Sequence, residues 1–501
     1  MCKSFFNKNI TILTFIVIFW STITLPVFCA EQMQESLFPV PRQPIIDSKR
    51  PITFYHILHE RELNADISYI LMDLETNEII EAINPSDLYP LASVSKIITA
   101  LYCLEILGPS FNFETKILID GSINNGVLDG NLMLLGGGDP SLTNDHLMSL
   151  IDGLYDAGLR EVDGKFIVSA GETVYHPFID SGQPEYLSYN PSISGLNINF
   201  NRVLFDWDYI NNQYIFNLEA KAEIKSTEIS NITIDLLQPN ETIPKTHING
   251  KDDKWQFSTT FLSKASQRWL PVRQPQRHAA EIFWKFANER GIELPQPSFQ
   301  NKLLNGKVLN KITGVPLDKN VSLMLKYSNN LLAEAIGLKA TQALTGEYKS
   351  IKDSANVMQN WLKKKIGEST TELVDHSGLG SKSKISAFEL IKLLEITGWD
   401  GNIFGLMSDH QFRKRNSAIL KNYTNVVKVK TGSLNFVSNI VGFIETNSGK
   451  RMAFVVLTSN MNERNKLKKV DRDNPLKAKT WVKKSRQIQL DLIEYWSFKY
   501  N

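Results

Sequence analysis

A serine and a lysine three residues apart stand where a helix is predicted to begin. The stretch "PLASVSKIITALYCLEILGP" carries Ser93 and Lys96, followed by apolar residues at helical spacing and a Gly-Pro stop. A serine hydroxyl is a poor nucleophile until a base removes its proton, and a lysine amine is that base only when desolvation or a neighbouring cation lowers its pKa. One helical turn places both side chains on one face. The pair suits nucleophilic catalysis, but the same spacing fits a helix cap beside an exposed lysine.

Two polar motifs downstream favour catalysis over capping. Ser328 and Asn330 form a Ser-x-Asn pattern at the start of the helical run "YSNNLLAEAIGLKA". Lys430, Thr431 and Gly432 follow the β-type run "NVVKV", and a glycine there lets another backbone approach the strand closely. Ser-x-x-Lys and Ser-x-Asn also recur elsewhere in the chain, so each motif alone is a weak signal. The ordered set of three is much more specific.

The three motifs in this order define the penicillin-recognising serine enzymes, which are the penicillin-binding proteins and serine β-lactamases. From about residue 50 to 490 the chain resembles the class C, low-molecular-mass penicillin-binding proteins, the D-alanyl-D-alanine carboxypeptidase/endopeptidases of peptidase family S13. The matching segments include "LASVSKIITA", "GNLMLLGGGDPSL", "ISGLNINFNRV", "DHSGLG" and "VKTGSLNFVSNIVGF". The long segment between Ser93 and Ser328 also resembles this family, because ordinary β-lactamases have no room for it.

The resemblance implies a catalytic role for three residues. Ser93 is expected to form an acyl-enzyme, with Lys96 as its base and Ser328 as the relay that returns the proton to the leaving amine. Lys430, the first residue of the third motif, is expected to supply a second positive charge near Lys96. Water would hydrolyse the acyl-enzyme, and a β-lactam would stall it.

The same resemblance implies the substrate-binding residues. Asn330 is expected to hold the substrate peptide amide, while Lys430, Thr431 and Gly432 bind the terminal D-Ala carboxylate along the strand. Backbone N–H groups of Ser93 and Ser433 are expected to form the oxyanion hole.

Specificity for the stem peptide is expected to come from residues outside these motifs. An acidic and an aromatic residue of the inserted region can recognise the diamino acid in this family, and Glu185 and Tyr189 are the nearest counterparts. The chain departs from the family pattern at His376 and Phe436, where glycines are usual. Both loops are expected to border the groove and to affect substrate preference.

The coarse pattern predicts an α/β domain split by a large β-rich insertion. The resemblance implies that this is the α/β (α+β) fold of the penicillin-binding-protein/β-lactamase type, with an antiparallel sheet flanked by helices. Two β-hairpins and a long final helix are predicted for the part that encloses the motifs. The expected segments are a signal peptide at 1–30, an extended lead-in at 31–52, a catalytic domain split into 53–113 and 291–501, and an inserted region of two nested subdomains at 114–290.

The two ends of the chain suggest where the protein works. Lysines followed by the short apolar run "ITILTFIVIFW" predict an export signal cleaved near residue 30, and hence a periplasmic protein, with a retained anchor as the alternative. The basic stretch 462–486 could contact anionic wall polymers or membrane lipid, although a solvated loop and helix face is the simpler explanation. A formal net charge of +2 gives no overall field that would attract nucleic acid.

The expected function is therefore that of a serine D-Ala-D-Ala carboxypeptidase, a DD-endopeptidase, or both, acting on peptidoglycan stem peptides and inhibited by β-lactams. No cofactor or metal is expected, since a His-Glu-x-x-His motif is absent from the sequence. The alternatives are a serine esterase or D-amino-acid peptidase of the same fold, and a wall-binding homologue without turnover.

Overall fold

The structure, a computed structural model, describes residues 63–238, 244–249, 252–262, 265–410, 425–473 and 475–501. The expected signal peptide at 1–30 and lead-in at 31–52 lie outside these ranges. Among the helices within them, none has the length and apolar character needed to cross a membrane.

Strands and helices alternate irregularly along the described chain. The β-strands are β1 (Asp66–Asp73), β2 (Ile79–Ile83), β3 (Leu88–Pro90), β4 (Glu114–Ile119), β5 (Ser122–Asn124), β6 (Val127–Asp129), β7 (Leu132–Leu135), β8 (Glu161–Val162), β9 (Phe166–Ser169), β10 (Arg202–Ile210), β11 (Gln213–Ala220), β12 (Thr227–Glu228), β13 (Ile232–Leu236), β14 (Lys245–Asn249), β15 (Asp252–Phe257), β16 (Ser266–Pro271), β17 (Pro297–Gln300), β18 (Lys307–Thr313), β19 (Lys384–Ser386), β20 (Ser408–Asp409), β21 (Val426–Leu434), β22 (Val437–Glu445) and β23 (Arg451–Ser459). The α-helices are α1 (Ser95–Leu107), α2 (Asn144–Asp156), α3 (Pro275–Arg290), α4 (Leu317–Tyr327), α5 (Asn330–Thr345), α6 (Ile351–Ile366), α7 (Ala387–Thr397), α8 (Met461–Lys466) and α9 (Leu476–Lys499).

A sheet of the order β2-β1-β23-β22-β21-β20 forms the centre of the catalytic part, and all its strand pairs are antiparallel. The two predicted hairpins are β1–β2 and β22–β23. Side chains alternate between the two faces along each strand. On β1, Ile70 and Met72 join the core with α1, α5 and α7, whereas Tyr69 and Leu71 join the core under α9. Helices therefore cover both faces, and the predicted fold is confirmed.

The inserted region contains two sheet units around one hydrophobic core. The first unit is the sheet β17-β9-β7-β4-β18, packed with α2 and α3. The second, between β9 and α3 in the chain, holds the sheets β12-β11-β10-β16 and β13-β15-β14. Apolar residues from both units belong to the same buried cluster.

The insertion ends later than the sequence boundary at residue 290 suggests. β17 pairs in parallel with β9, and β18 pairs antiparallel with β4, so both strands belong to the inserted sheet although they follow α3. The catalytic part resumes only at α4. The prediction placed 291–313 in the wrong domain because a strand's sheet is decided by its distant partner, which the local pattern does not reveal.

Phe436 occupies the two-residue turn between β21 and β22 with a left-handed backbone, φ 57°. This conformation costs a residue with a Cβ about 1 to 2 kcal/mol, which explains why glycine suits the position. The ring is nevertheless buried, and it packs edge-on against Trp481 of α9 with ring centroids 6.0 Å apart. Phe436, which stands where a glycine is usual, thus packs the β21–β22 hairpin against α9.

Phe436→Gly is expected to lower the free energy of unfolding. Loss of a buried phenylalanine costs about 3 to 5 kcal/mol, whereas relief of the backbone returns about 1 kcal/mol, so destabilisation prevails. Chemical denaturation checks this. Asn77→Gly is the control, since Asn77 has φ 59° in an exposed turn and its replacement should change stability by about 0.5 kcal/mol or less. A Phe436→Gly protein as stable as the parent would contradict the packing role.

Candidate active site

Ser93 lies in a short 3₁₀ turn, Ala92–Val94, that runs directly into α1. The residue at the cap position of α1 is Val94, and no side chain caps the helix. The Ser93 hydroxyl instead accepts a hydrogen bond from Lys96 Nζ at 3.0 Å. The helix-cap interpretation of the pair is therefore excluded.

The nucleophile turn is held against the central sheet. Asn439 of β22 donates from Nδ2 to the carbonyl oxygens of Pro90 and Leu91, at 2.8 and 2.9 Å. On β21, a Cβ added to Gly432 would lie 2.8 Å from the backbone nitrogens of both Ser93 and Val94, too close for any side chain. Gly432 is thus required for close approach of β21 to Ser93.

Lys96 is completely buried, and its amine is surrounded by oxygen atoms. Nζ lies 3.0 Å from Ser93 Oγ, 2.7 Å from Asn330 Oδ1 and 2.7 Å from the carbonyl oxygen of Ser377. Burial lowers the pKa of Lys96 to about 7, against the opposing influence of the Glu334 and Asp375 carboxyls. Of the two causes considered from sequence, desolvation is the one that makes this lysine a base near neutral pH.

Ser328 and Lys430 form a second pair beside the first. Ser328 has a left-handed backbone, φ 57°, where the chain turns from α4 into α5. Lys430 Nζ donates to Ser328 Oγ at 3.0 Å and to the Thr431 carbonyl oxygen at 2.8 Å. Burial and the neighbouring charge of Lys96 hold the pKa of Lys430 well below its ordinary value. This influence of Lys96 on the pKa of Lys430 is consistent with two neighbouring pairs.

Asn330 connects the catalytic lysine to the inserted region. It is the first residue of α5, while Asn329 caps that helix by accepting from the Leu332 backbone N–H. Its Oδ1 accepts from Lys96, and its Nδ2 donates to the Tyr189 carbonyl oxygen at 2.7 Å. The loop that carries Tyr189 therefore reaches the site.

The remaining expected site residues are arranged around this centre. Thr431 is exposed on β21, and Ser433 Oγ accepts from the Arg486 guanidinium at 3.0 Å. Tyr189 donates its hydroxyl to Gln183 Oε1 at 3.4 Å. The Glu185 carboxylate lies 3.5 Å from Lys469 of the C-terminal segment instead of beside the catalytic groups.

The loop at residues 375–380 contacts the site differently from the sequence expectation. Its backbone touches Lys96, but the His376 side chain is fully buried away from the groove. The ring contacts Ser354 Oγ at 2.8 Å and fills the space over Gly337, where an added Cβ would lie 2.3 Å from the imidazole. The His376 side chain therefore does not border the groove as expected, because the imidazole is part of the helical core.

Sequence reasoning missed several residues of the site. Glu334 is fully buried and follows Asn330 by one helical turn, a spacing that could have indicated it. Asn439, which holds the nucleophile turn, and Arg486, which contacts Ser433, had no recognisable signal because each acts through a contact distant in sequence.

Comparison with known proteins shows the family of the chain. The sequence profile of the family described as D-Ala-D-Ala carboxypeptidase 3 (S13) matches residues 54–478. D-alanyl-D-alanine carboxypeptidase DacB of Haemophilus influenzae is 25% identical over 426 residues, which cover 78% of this chain and 85% of that protein.

Solved structures show the same fold. The crystal structure of penicillin binding protein 4 (dacB) from Haemophilus influenzae has a TM-score of 0.70 at 22% identity, covering 88% of this chain and 100% of that chain. The same protein complexed with a novel β-lactam gives a TM-score of 0.68 at 21% identity, with coverage of 88% and 99%. Since the family profile spans most of the sequence, the chain belongs to the S13 family of D-Ala-D-Ala carboxypeptidases.

Proposed function

We propose that this protein is a serine D-Ala-D-Ala peptidase of peptidoglycan stem peptides, acting through an acyl-enzyme on Ser93 that β-lactams also form. It removes the terminal D-Ala, cuts D-alanyl cross-links, or does both. The observation that carries the proposal is the buried Lys96 amine 3.0 Å from Ser93 Oγ, beside the pair of Ser328 and Lys430.

The geometry supports a defined acylation step. The neutral Lys96 amine takes the Ser93 proton while Oγ attacks the carbonyl carbon of the D-Ala–D-Ala bond. The oxygen that becomes negative is stabilised by the backbone N–H groups of Ser93 and Ser433. Ser328, hydrogen-bonded to Lys430, gives its hydroxyl proton to the leaving D-Ala nitrogen as the C–N bond breaks, and it is reprotonated by the proton that Lys96 took from Ser93, which leaves the Lys96 amine neutral again. Water then hydrolyses the ester, which releases the shortened peptide and restores Ser93.

Substrate binding uses groups that face the same cleft. An asparagine amide carries two N–H donors, and the one that Asn330 does not give to Tyr189 holds the substrate peptide. Exposed Thr431 and the guanidinium of Arg486 on Ser433 favour a carboxylate along β21. We assign recognition of the stem diamino acid to Glu185 and Tyr189, because they lie on an inserted loop that contacts Asn330 through the Tyr189 carbonyl.

The substrate implies a site of action outside the cytoplasm. The export signal predicted from the N-terminal sequence supports a periplasmic location. Within 462–486, Arg464, Lys469, Arg472 and Arg486 make contacts inside the protein. Lys466 pairs with Glu463, so the exposed lysines that remain for an anionic wall polymer or membrane surface are Lys468, Lys477, Lys479, Lys483 and Lys484.

Fluorescent penicillin is expected to label the protein covalently, and the label should disappear in Ser93→Ala. Ser381→Ala is the matched control, because Ser381 begins the second Ser-x-x-Lys sequence and should label normally. Digestion of a D-Ala-D-Ala peptide, a cross-linked muropeptide and a simple ester, analysed by mass, then identifies the reaction. Labelling retained in Ser93→Ala, or turnover of the ester alone, would overturn the proposal.

The acylation rate is expected to rise with pH and level off above about pH 7. A lysine acts as a base only when neutral, and burial gives Lys96 a pKa of about 7, so the neutral fraction falls about tenfold for each pH unit below that value. Stopped-flow acylation from pH 5 to 9 measures the midpoint. A rate still climbing steeply at pH 9 would show that Lys96 keeps its ordinary pKa.

Gly432→Ala is expected to slow acylation about 100-fold, the effect of displacing a reacting group by about 1 Å. The added methyl group would press on the backbone nitrogens of Ser93 and Val94 and separate β21 from the nucleophile turn. Gly405→Ala serves as the control, since no atom lies within 4 Å of the added Cβ. Unchanged acylation in Gly432→Ala would refute the close-approach argument.

A further inference from the structure

Asp375 is a fully buried carboxyl group in the loop that contacts the catalytic lysine. Its Oδ1 accepts from the Gly378 backbone N–H at 2.7 Å, and its Oδ2 accepts from the Gly380 N–H at 2.6 Å. The carbonyl of Ser377, within the same tight loop, accepts from Lys96 Nζ at 2.7 Å. The mechanism above assigns no role to Asp375.

The two contacts belong to one peptide group. The Ser377 carbonyl and the Gly378 N–H are joined by the same peptide bond, and in a planar trans peptide they point in opposite directions. A carboxylate that fixes the Gly378 N–H on one side therefore fixes the direction of the Ser377 carbonyl on the other. That direction is toward Lys96.

The direction of this carbonyl determines which way the lysine lone pair faces. A neutral amine has two hydrogens and one lone pair, and both Asn330 Oδ1 and the Ser377 carbonyl can only accept. In the neutral amine these two acceptors take both hydrogens and the lone pair faces Ser93 Oγ, 3.0 Å away, so the Ser93 hydroxyl then donates to the nitrogen instead of accepting from it. This is the orientation that proton removal from Ser93 requires.

Other buried groups hold the remainder of the loop. Glu334 accepts from the backbone N–H groups of His376 and Ser377, with the shorter distance 2.8 Å. Thr99 Oγ1 of α1 donates to the His376 carbonyl oxygen at 2.6 Å. The backbone polar groups from His376 N to Gly378 N all have a partner, so the loop has little freedom to reorient.

We propose that Asp375 is a positioning residue for the reaction, which acts by directing the Ser377 carbonyl at Lys96 and so aiming the lysine lone pair at Ser93. In a Ser-His-Asp triad the aspartate orients the catalytic histidine through a direct hydrogen bond. Asp375 would orient Lys96 in a similar way, but through an intervening peptide group. The inference rests on the proposed function, because it assumes that Lys96 takes the Ser93 proton.

Asp375 also contributes charge. The titratable groups around Lys96 are Glu334 on α5, Asp375 on the loop and Lys430 on β21, and Asp180 of the inserted region acts on Asp375. Burial raises the pKa of Asp375 to about 6, against the hydrogen bonds from the Gly380 and Gly378 N–H groups, which lower it. The ionised form of Asp375 raises the pKa of the Lys96 amine and so works against the lowering of that pKa by burial.

Asp375→Asn tests the proposal by stopped-flow acylation with fluorescent penicillin from pH 5 to 9. An asparagine accepts with one oxygen and turns its NH₂ toward the other backbone N–H, so the peptide loses its fixed direction. We expect the plateau rate per labelled site to fall about 100-fold. The midpoint of the pH profile should move to lower pH, since the charge that raises the Lys96 pKa is gone. A merely structural role would reduce the labelled fraction and leave both quantities unchanged.

Two further variants separate position from charge and from general destabilisation. Thr99→Val removes a hydrogen bond to the loop without changing its charge, so it should lower the plateau acylation rate and leave the midpoint of the pH profile in place. A plateau rate equal to that of the parent would overturn the proposal, even if Asp375→Asn fails to fold. Glu389→Gln is the matched control, since this buried carboxylate accepts from the Thr370 backbone N–H at 2.6 Å within another loop. It should change neither quantity.

The outcomes also separate this inference from the function on which it rests. A parent protein that is not acylated at Ser93 would refute the proposed function. Normal acylation of the parent, together with a parental rate and midpoint in Asp375→Asn, would refute the positioning role alone.

Discussion

Desolvation of one amine is the constraint on which the site depends. A lysine in water is protonated at neutral pH and has no lone pair to offer, so only the removal of water makes Lys96 a base. The protein achieves this by enclosing the amine completely while supplying three oxygen neighbours, which keep the buried nitrogen hydrogen-bonded. The neighbouring carboxyls of Glu334 and Asp375 limit the effect, which leaves the pKa near neutrality instead of far below it.

Elements from several parts of the fold surround the Lys96 amine. α1 supplies the lysine, α5 supplies Asn330, β21 brings Lys430, and the loop at 375–380 closes the back. Each of these elements is anchored in an apolar core, and the sheet is buried on both faces. Close packing of this kind tolerates little displacement, so the polar atoms are held within hydrogen-bond distance before substrate arrives.

The inserted region contributes to the catalytic centre as well as to its surroundings. Through the Tyr189 carbonyl it fixes the amide of Asn330, and therefore the acceptor that Asn330 presents to Lys96. The C-terminal segment meets the same inserted loop, where Arg472 donates to the Gly182 carbonyl oxygen at 2.8 Å. The loop that is assigned to substrate recognition is thus joined by hydrogen bonds, through Asn330, to the catalytic Lys96.

The sequence by itself determined the chemistry and most of the elements: the nucleophile motif at the start of a helix, the Lys-Thr-Gly strand, the hairpins and the final helix are local patterns of residue type and spacing. Tertiary structure decided what depends on partners distant in the chain. It paired β17 and β18 with strands of the inserted sheet and buried His376 in the core. It also placed Asp375 in the loop that contacts Lys96, and Asn439 against the nucleophile turn. The physical reason is that periodicity reports the apolar face of an element, whereas pairing, desolvation and hydrogen-bond direction are properties of the two surfaces that meet.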